Sequence, residues 1–270
     1  MRKLSLITAV FGLFLSNAVM AEDINIHADN KVEWHSKEQK MIAVGNAVAS
    51  KKDMSIKADE LSAWYQKIPP ADKQRISRVH ARGNVIMKSG ESSAYGHTMD
   101  YDLIADKAVL HGAPAKVKTT TDTITAEDHI TYYPSQQKAV AEGNVFATNG
   151  ESKIYSDSMI AHFEKDKTGK TGIKQVKVFG NVKIQTKDGT VWADRGTYLP
   201  KQGLVKLYDN ITIDQKGNKL HGDLAETNLN TGISKMLAAP GAKKRVTGVF
   251  IEKAKNKEAA PTAEENKNVQ

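Results

Sequence analysis

Histidines, repeated acids and glycine-rich turns are the residues in this chain that could do chemistry. Eight histidines stand at positions 27, 35, 80, 97, 111, 129, 162 and 221. None falls into an HExxH run or a comparable ligand spacing, so a metal centre is not expected. His27 and His221 occupy the outward slot of a repeated motif and read as surface residues. The chain has no cysteine, which excludes disulfides, iron–sulfur ligation, thiolate zinc sites and a cysteine nucleophile. Gly169-Lys170-Thr171 ends like a phosphate-binding loop, but the opening glycine of such a loop would fall on Glu164 and no helix follows. Gly90-Glu91-Ser92 and Gly150-Glu151-Ser152 begin like a nucleophile elbow. Ala94 and Ile154 stand where its closing glycine belongs, so both read as hairpin turns. Asp29, Asp59, Asp157, Asp194 and Asp223 return with the repeat of the chain and read as turn or ladder-edge hydrogen-bonders rather than catalytic carboxylates. With no nucleophile beside a base, the chain is not expected to be an enzyme or to carry a cofactor.

Composition bounds what positions these residues. The chain has 270 residues, 40% of them hydrophobic, 26% charged and 6% aromatic, a balance that excludes a disordered protein. Its formal charge is +8. Arg2 and Lys3 precede an apolar run from Leu4 to Leu15, and Val19-Met20-Ala21 offers small or apolar groups for cleavage. This reads as a secretory signal peptide over 1–21, removed after Ala21; the run is too short for a comfortable membrane span. Cleavage removes two of the positive charges, leaving +6 of the +8. Basic and aromatic residues do not interleave along the chain as in an RNA-binding sheet, so nucleic acid is not an expected partner.

A repeat of about 30 residues organises the mature chain. Gly45-Asn46, Gly83-Asn84, Gly143-Asn144 and Gly180-Asn181 each precede an apolar or small residue, and Gly112-Ala113 and Asp209-Asn210 fill the same slot less faithfully. A second motif (apolar, any, small, usually acidic) accompanies it. It appears as Ile26-His27-Ala28-Asp29, Ile56-Lys57-Ala58-Asp59, Ile124-Thr125-Ala126-Glu127, Ile154-Tyr155-Ser156-Asp157, Val191-Trp192-Ala193-Asp194 and Leu220-His221-Gly222-Asp223. Within each unit the apolar period is two. Val176, Val178, Val182 and Ile184 share one face while Lys177, Phe179, Lys183 and Gln185 share the other. Such alternation predicts half-buried antiparallel strands. Glycine turns at Gly90, Gly150, Gly189 and Gly217 separate them. Polar segments at 67–78 and 165–175 read as loop insertions at equivalent points of two units, and the stretch over 252–270 as a disordered tail. The expected architecture is all-β: a signal peptide (1–21), one repeat-built antiparallel domain (22–251) and the tail (252–270).

Stacked alternating strands make an apolar wall. In a closed sandwich that wall is core; in a sheet curled into a trough it is a groove for an apolar ligand. The inward line is often small (Ala43, Ala47, Ala49, Ala81, Ala139, Ala141, Ala147), which leaves room for a ligand, although tight sheet packing also explains it. Alternation nominates Val85, Met87, Val145, Val182, Ile184, Ile211 and Ile213 as interior residues.

The chain resembles the OstA-like family of periplasmic lipopolysaccharide-transport proteins. The resemblance rests on the Gly-Asn-Val units, the Ile-x-Ala-Asp motif, the first strand Asp23-Ile24-Asn25-Ile26-His27-Ala28-Asp29, and Leu220–Phe250. That last stretch includes Ile233-Ser234-Lys235-Met236 and Gly241-Ala242-Lys243-Lys244-Arg245-Val246. It covers residues 22–250. It implies a β-jellyroll folded like a taco, with an apolar interior that binds lipid A acyl chains. It also implies head-to-tail homo-oligomers bridging an inner-membrane transporter complex (LptC-like) to an outer-membrane translocon (LptD-like). Matched first-strand positions add Ile24 and Ile26 as acyl-chain contacts near the entrance. The alternative expectation is a structural or adhesive β-repeat protein with a filled core and no lipid ligand.

Overall fold

The computed structural model describes residues 24–67, 74–167, 171–215, 217–238 and 246–249. The expected signal peptide, the 252–270 tail and the Gly241–Arg245 segment lie outside them. Within the described residues the chain is a continuous antiparallel meander whose neighbours in sequence are neighbours in space. β1 (Asn25–His27) and β2 (Lys31–His35) lie end to end and both pair with β3 (Lys40–Lys51). β4 (Met54–Lys67), β5 (Gln74–Ser89) and β6 (Ser92–Asp102) follow in order. β7 (Lys107–His111) and β8 (Ala115–Lys118) share the far side of β6. β9 (Thr123–Ala126) pairs with β8, and β10 (His129–Tyr133) with β7; both then pair with β11 (Lys138–Thr148). From there β12 (Lys153–Lys165), β13 (Thr171–Thr186), β14 (Gly189–Leu199), β15 (Leu204–Gln215) and β16 (Asn218–Asn228) continue the sheet. β17 (Ile233–Leu237) and β18 (Thr247–Val249) close it. A single 3-10 turn, Pro200–Gln202, is the one helical element among the described residues.

Every long strand breaks register at the same level. The slips fall between Val44 and Ala47, Arg82 and Val85, Glu142 and Val145, Phe179 and Val182, and Tyr208 and Ile211. These are the Gly-Asn positions. Both residues of each pair take the left-handed conformation, for example Gly83 at φ 77° with Asn84 at 48°, and Gly180 at 72° with Asn181 at 47°. Asp209-Asn210 adopts it too, at 62° and 48°, so the less faithful copy makes the same bulge. A bulge bends a strand and strengthens its twist; repeated at one level across the sheet, it folds the sheet along a crease. The crease separates a short limb, holding β1, β8, β9, β18 and the Gly90, Gly150 and Gly217 hairpins, from a long limb, holding β2, β7, β10, β17 and the β4–β5 and β12–β13 hairpins. This is the expected repeat-built antiparallel β-jellyroll, folded on itself.

The recurring acids close the crease. Asn46 Nδ2 donates to Asp29 at 2.8 Å, Asn84 to both oxygens of Asp59 at 3.2 and 3.0 Å, Asn144 to Glu127 at 2.6 Å, Asn181 to Asp157 at 3.1 and 3.0 Å, and Asn210 to Asp194 at 2.7 Å. Each acid comes from the small-acidic motif of one strand and each asparagine from the bulge of a neighbour. Asp29, Asp59, Asp157 and Asp194 are thus hydrogen-bonders, as their spacing suggested. The glycine is required twice over: its φ is positive, and a Cβ on Gly83 or Gly180 would run into the carboxyl of Asp59 or Asp157.

Two expectations change. The 67–78 and 165–175 segments are in large part strand: Lys67 pairs with Gln74 and Lys165 with Thr171, and β5 and β13 reach 16 residues each. The extra residues lengthen two hairpins of the long limb, with Phe163 and Ile173 buried beneath one of them. Their polarity hid this, because an antiparallel hairpin buries only alternate residues. The small inward residues also do not leave room. Ala43, Ala47, Ala81, Ala141 and Ala147 are buried, and most of them lie next to the crease, where the two limbs converge and larger side chains have no space.

Candidate functional site

The inner faces of the limbs carry the candidate site. On the short limb one register line crosses the entire sheet. Ile26 faces Ala49, which faces Ile56, then Met87, Ala94, Val117 and Ile124. The line continues through Ala147, Ile154, Ile184, Val191, Ile213 and Leu220 to Gly248. No charged or polar side chain interrupts it. At about 4.8 Å per strand it runs roughly 60 Å. The long limb carries its counterpart: Val32, Ala43, Leu61, Ala81, Met99, Leu110 and Ile130, then Ala141, Met159, Val178, Gly196, Leu207, Ala225 and Met236.

Burial is graded across this interior. Of the residues nominated from sequence, Val85, Val145, Val182 and Ile211 are among the most deeply buried side chains, and Met87 is buried with them. All but Met87 lie at the crease and form its floor. Ile26, Ile184 and Ile213 are half-buried, away from the crease, and pack against the core rather than within it. Ile24 is 44% exposed at the open first strand. The nominated set thus divides into floor, wall and mouth. The sequence reading passed over Ile56, Ile124, Ile154 and Val191 on the wall, and Met99, Leu110, Ile130 and Met159 opposite. A signal for the first group was present, since each is the leading apolar residue of the repeated small-acidic motif.

Between the limbs lies an apolar cavity of about 20 Å³. Ile56 and Met87 from the short limb and Met99, Tyr101, Ala108, Tyr132 and Pro134 from the long limb line it. Burial pushes the Tyr132 phenol up to about 12 and that of Tyr101 higher still, so both rings are neutral at any ordinary pH. At the amino-terminal end the interior opens. Val32 and Trp34, inward-facing in β2, are 50% and 55% exposed because no further strand covers them, and Trp34 stacks on Tyr65 at 5.1 Å. Among the described residues β1 and β2 pair only with β3, and β17 and β18 only with β16, so the sheet ends in free edges there.

The outer faces differ in charge. The long limb carries ion pairs: Arg78 with Asp100 at 2.7 Å, Arg82 with Glu60 at 2.8 Å and Lys206 with Glu226 at 2.7 Å, while His129 lies 2.9 Å from Glu142. Burial raises the Asp100 pKa, but hydrogen bonds from Arg78 and His80 outweigh it and hold the carboxyl below its ordinary value. On the short limb, register brings lysines and aromatics together that sequence spacing kept apart. Ile86, Tyr95, Lys116, Thr125, Phe146, Tyr155, Lys183 and Trp192 form one outward line.

A family model described as LptA/(LptD N-terminal domain) LPS transport protein matches the chain twice, over residues 25–138 and 124–233. The two matches agree with an internal duplication, since Gly45 and Gly143, Ile56 and Ile154, and Asp59 and Asp157 each stand 98 residues apart. No curated protein sequence matches the chain. Among solved structures it is similar to LptH, the LptA-homologous periplasmic component of the lipopolysaccharide transport device of Pseudomonas aeruginosa. The identity is 21% and the TM-score 0.42, over 48% of this chain and 95% of that one. With the family model spanning most of its folded length, the chain belongs to the LptA/LptD N-terminal domain family of lipopolysaccharide transport proteins.

Proposed function

We propose that the chain is a periplasmic lipopolysaccharide carrier that holds lipid A acyl chains between its limbs. In this role it bridges an inner-membrane transporter complex (LptC-like) to an outer-membrane translocon (LptD-like). The observation that supports this best is the unbroken apolar register line, matched on both limbs, from one sheet edge to the other. A filled structural core has no need of apolar continuity to its ends, nor of inward-facing aromatics left open at one of them. Left in water, an acyl chain of about a dozen methylenes costs roughly 10 kcal/mol, so a continuous apolar track is the least costly route across an aqueous space.

In the closed conformation the cavity is far smaller than an acyl chain. Uptake therefore separates the limbs at their free hairpin ends while the crease, pinned by its asparagine–carboxylate bonds, stays shut. Ile24, Ile26, Ile184 and Ile213 then contact the chain directly, and Val85, Met87, Val145, Val182 and Ile211 form the floor beneath it. The unpaired edges at β1/β2 and β17/β18 are templates for strand addition, which gives head-to-tail homo-oligomers and contacts to the two membrane complexes. The signal peptide over 1–21 directs export and is removed after Ala21, and the folded domain over 22–251 works without enzymatic chemistry of its own.

A photo-reactive amino acid at Ile26, Ile184 or Ile213 is expected to cross-link lipopolysaccharide in cells, whereas one at Thr197, on the outer face of the long limb, is not. Equal labelling inside and outside, or none at all, sinks the reading and returns the interior to a plain core.

A further inference from the structure

The outer face of the short limb has a composition that the trough does not explain. Lys57, Lys88, Lys116, Lys118, Lys153 and Lys183 all point outward there. Among the described residues none of the six has a carboxylate within 4.0 Å, whereas on the long limb Arg78, Arg82 and Lys206 each pair with one. The one carboxylate on the short-limb strands, Asp214, already faces Lys219 at 4.0 Å. The acids of the crease are held by the bulge asparagines. Unpaired like charges gathered on one sheet face favour an anionic ligand.

Aromatic rings interleave with these lysines. Lys116 lies over the Tyr95 ring at 4.6 Å, Lys183 over Tyr155 at 5.9 Å, and Phe146 lies 5.1 Å from Tyr155. Tyr155 and Trp192 are 36% and 39% exposed. Rings at this exposure lie half in the sheet surface and do not project as wedges. They suit stacking against the C–H face of a sugar ring better than insertion into a bilayer. Position adds to this. Lys88, Lys118 and Lys153 sit beside the hairpin turns that form the free rim of the short limb, and the aromatic line lies just inside them. A head group leaving the trough over that rim meets these lysines, together with the turn acids Glu91 and Glu151, before it reaches the rings.

We infer that the outer face of the short limb binds the phosphorylated saccharide of the lipid whose acyl chains occupy the inner face, with lysines on phosphate and Tyr95, Tyr155 and Trp192 against sugar rings. This rests on the transport reading above. The ligand would straddle one limb, its apolar part on one side and its anionic glycan on the other. That arrangement fixes the lipid's orientation while leaving it free to slide along the sheet.

The test uses lipopolysaccharide stripped of its acyl chains but keeping its phosphates, titrated into protein carrying 5-fluorotryptophan. The expected result is saturable binding that moves the 19F resonance of Trp192 and leaves that of Trp34 still. Affinity should drop at least tenfold in the Lys116→Gln/Lys118→Gln/Lys153→Gln variant, and the salt dependence should flatten. Trp192→Ser and enzymatic removal of the phosphates should each weaken binding as well. These positions are exposed or half-exposed, and circular dichroism verifies the fold of each variant. If the glycan does not bind while intact lipopolysaccharide still does, the inference falls and the transport reading stands. If intact lipopolysaccharide also fails to bind, the transport reading falls with it. Competition by phosphatidylglycerol vesicles or single-stranded DNA as strong as by the glycan overturns the saccharide assignment, leaving only a cationic face.

Discussion

Replacing Ile184 with serine separates wall from floor. Ile184 is half-buried and lies in register between Ile154 and Val191. Against serine it loses three carbons, worth about 2.4 kcal/mol when fully buried at roughly 0.8 kcal/mol per carbon. The protein itself covers most of that area, so Ile184→Ser should cost about 1.5–2 kcal/mol of stability. The remainder is offered to the ligand, so affinity for lipopolysaccharide should fall by about 0.5–1 kcal/mol, some two- to fivefold. Ile211 behaves differently: it is among the most deeply buried side chains, and Ile211→Ala should cost about 2–5 kcal/mol of stability with little direct effect on ligand contact. Urea denaturation gives the first quantity, and displacement of a fluorescent lipid A analogue from the still-folded variants gives the second. An Ile184→Ser protein that loses stability yet binds lipid A at wild-type strength would refute the division, because Ile184 would then be core like Ile211.

Other expectations concern the crease and the ionisable groups. Gly180→Ala should destabilise by about 1–3 kcal/mol, through positive φ and collision with Asp157. At Gly172 an added methyl group would meet nothing within 4 Å, so Gly172→Ala should stay within about 0.5 kcal/mol in the same urea titration. Ala81→Leu forces a larger group into the convergence of the limbs and should cost about 1–3 kcal/mol. Burial, then Lys177, Lys138 and Lys174, lower the His162 pKa. The folded state therefore binds fewer protons there than the unfolded one, and stability falls as pH drops through about 6.5, the unfolded histidine value. The His162→Gln variant should show a flatter stability profile between pH 7 and pH 5.

Much of the architecture was legible in the sequence because the repeat writes its geometry into residue types. Gly-Asn marks each bulge by its need for positive φ, and the acid of the neighbouring motif marks the partner that closes it. Period-two alternation then assigns the faces, and it placed Val85, Val182 and Ile211 inside correctly. Depth was not legible. Whether Ile184 lies shallower than Val182 depends on how far each stands from the crease, which is a property of the folded sheet. The outward line of Tyr95, Lys116, Phe146, Tyr155, Lys183 and Trp192 was missed for a related reason. Its members are scattered over nearly a hundred residues of sequence and become neighbours only through strand pairing. The long hairpins were missed because their exposed halves are polar enough to read as loop.

The central claim is that acyl chains enter between the limbs, and the absence of cysteine allows it to be tested without background. Cysteines at Ile56 and Ala108, which line the same cavity from opposite limbs, can be joined by a short, disulfide-containing bis-maleimide. The locked protein is predicted to lose lipopolysaccharide binding and to regain it when the linker is reduced. Undiminished binding by the locked protein would contradict the account.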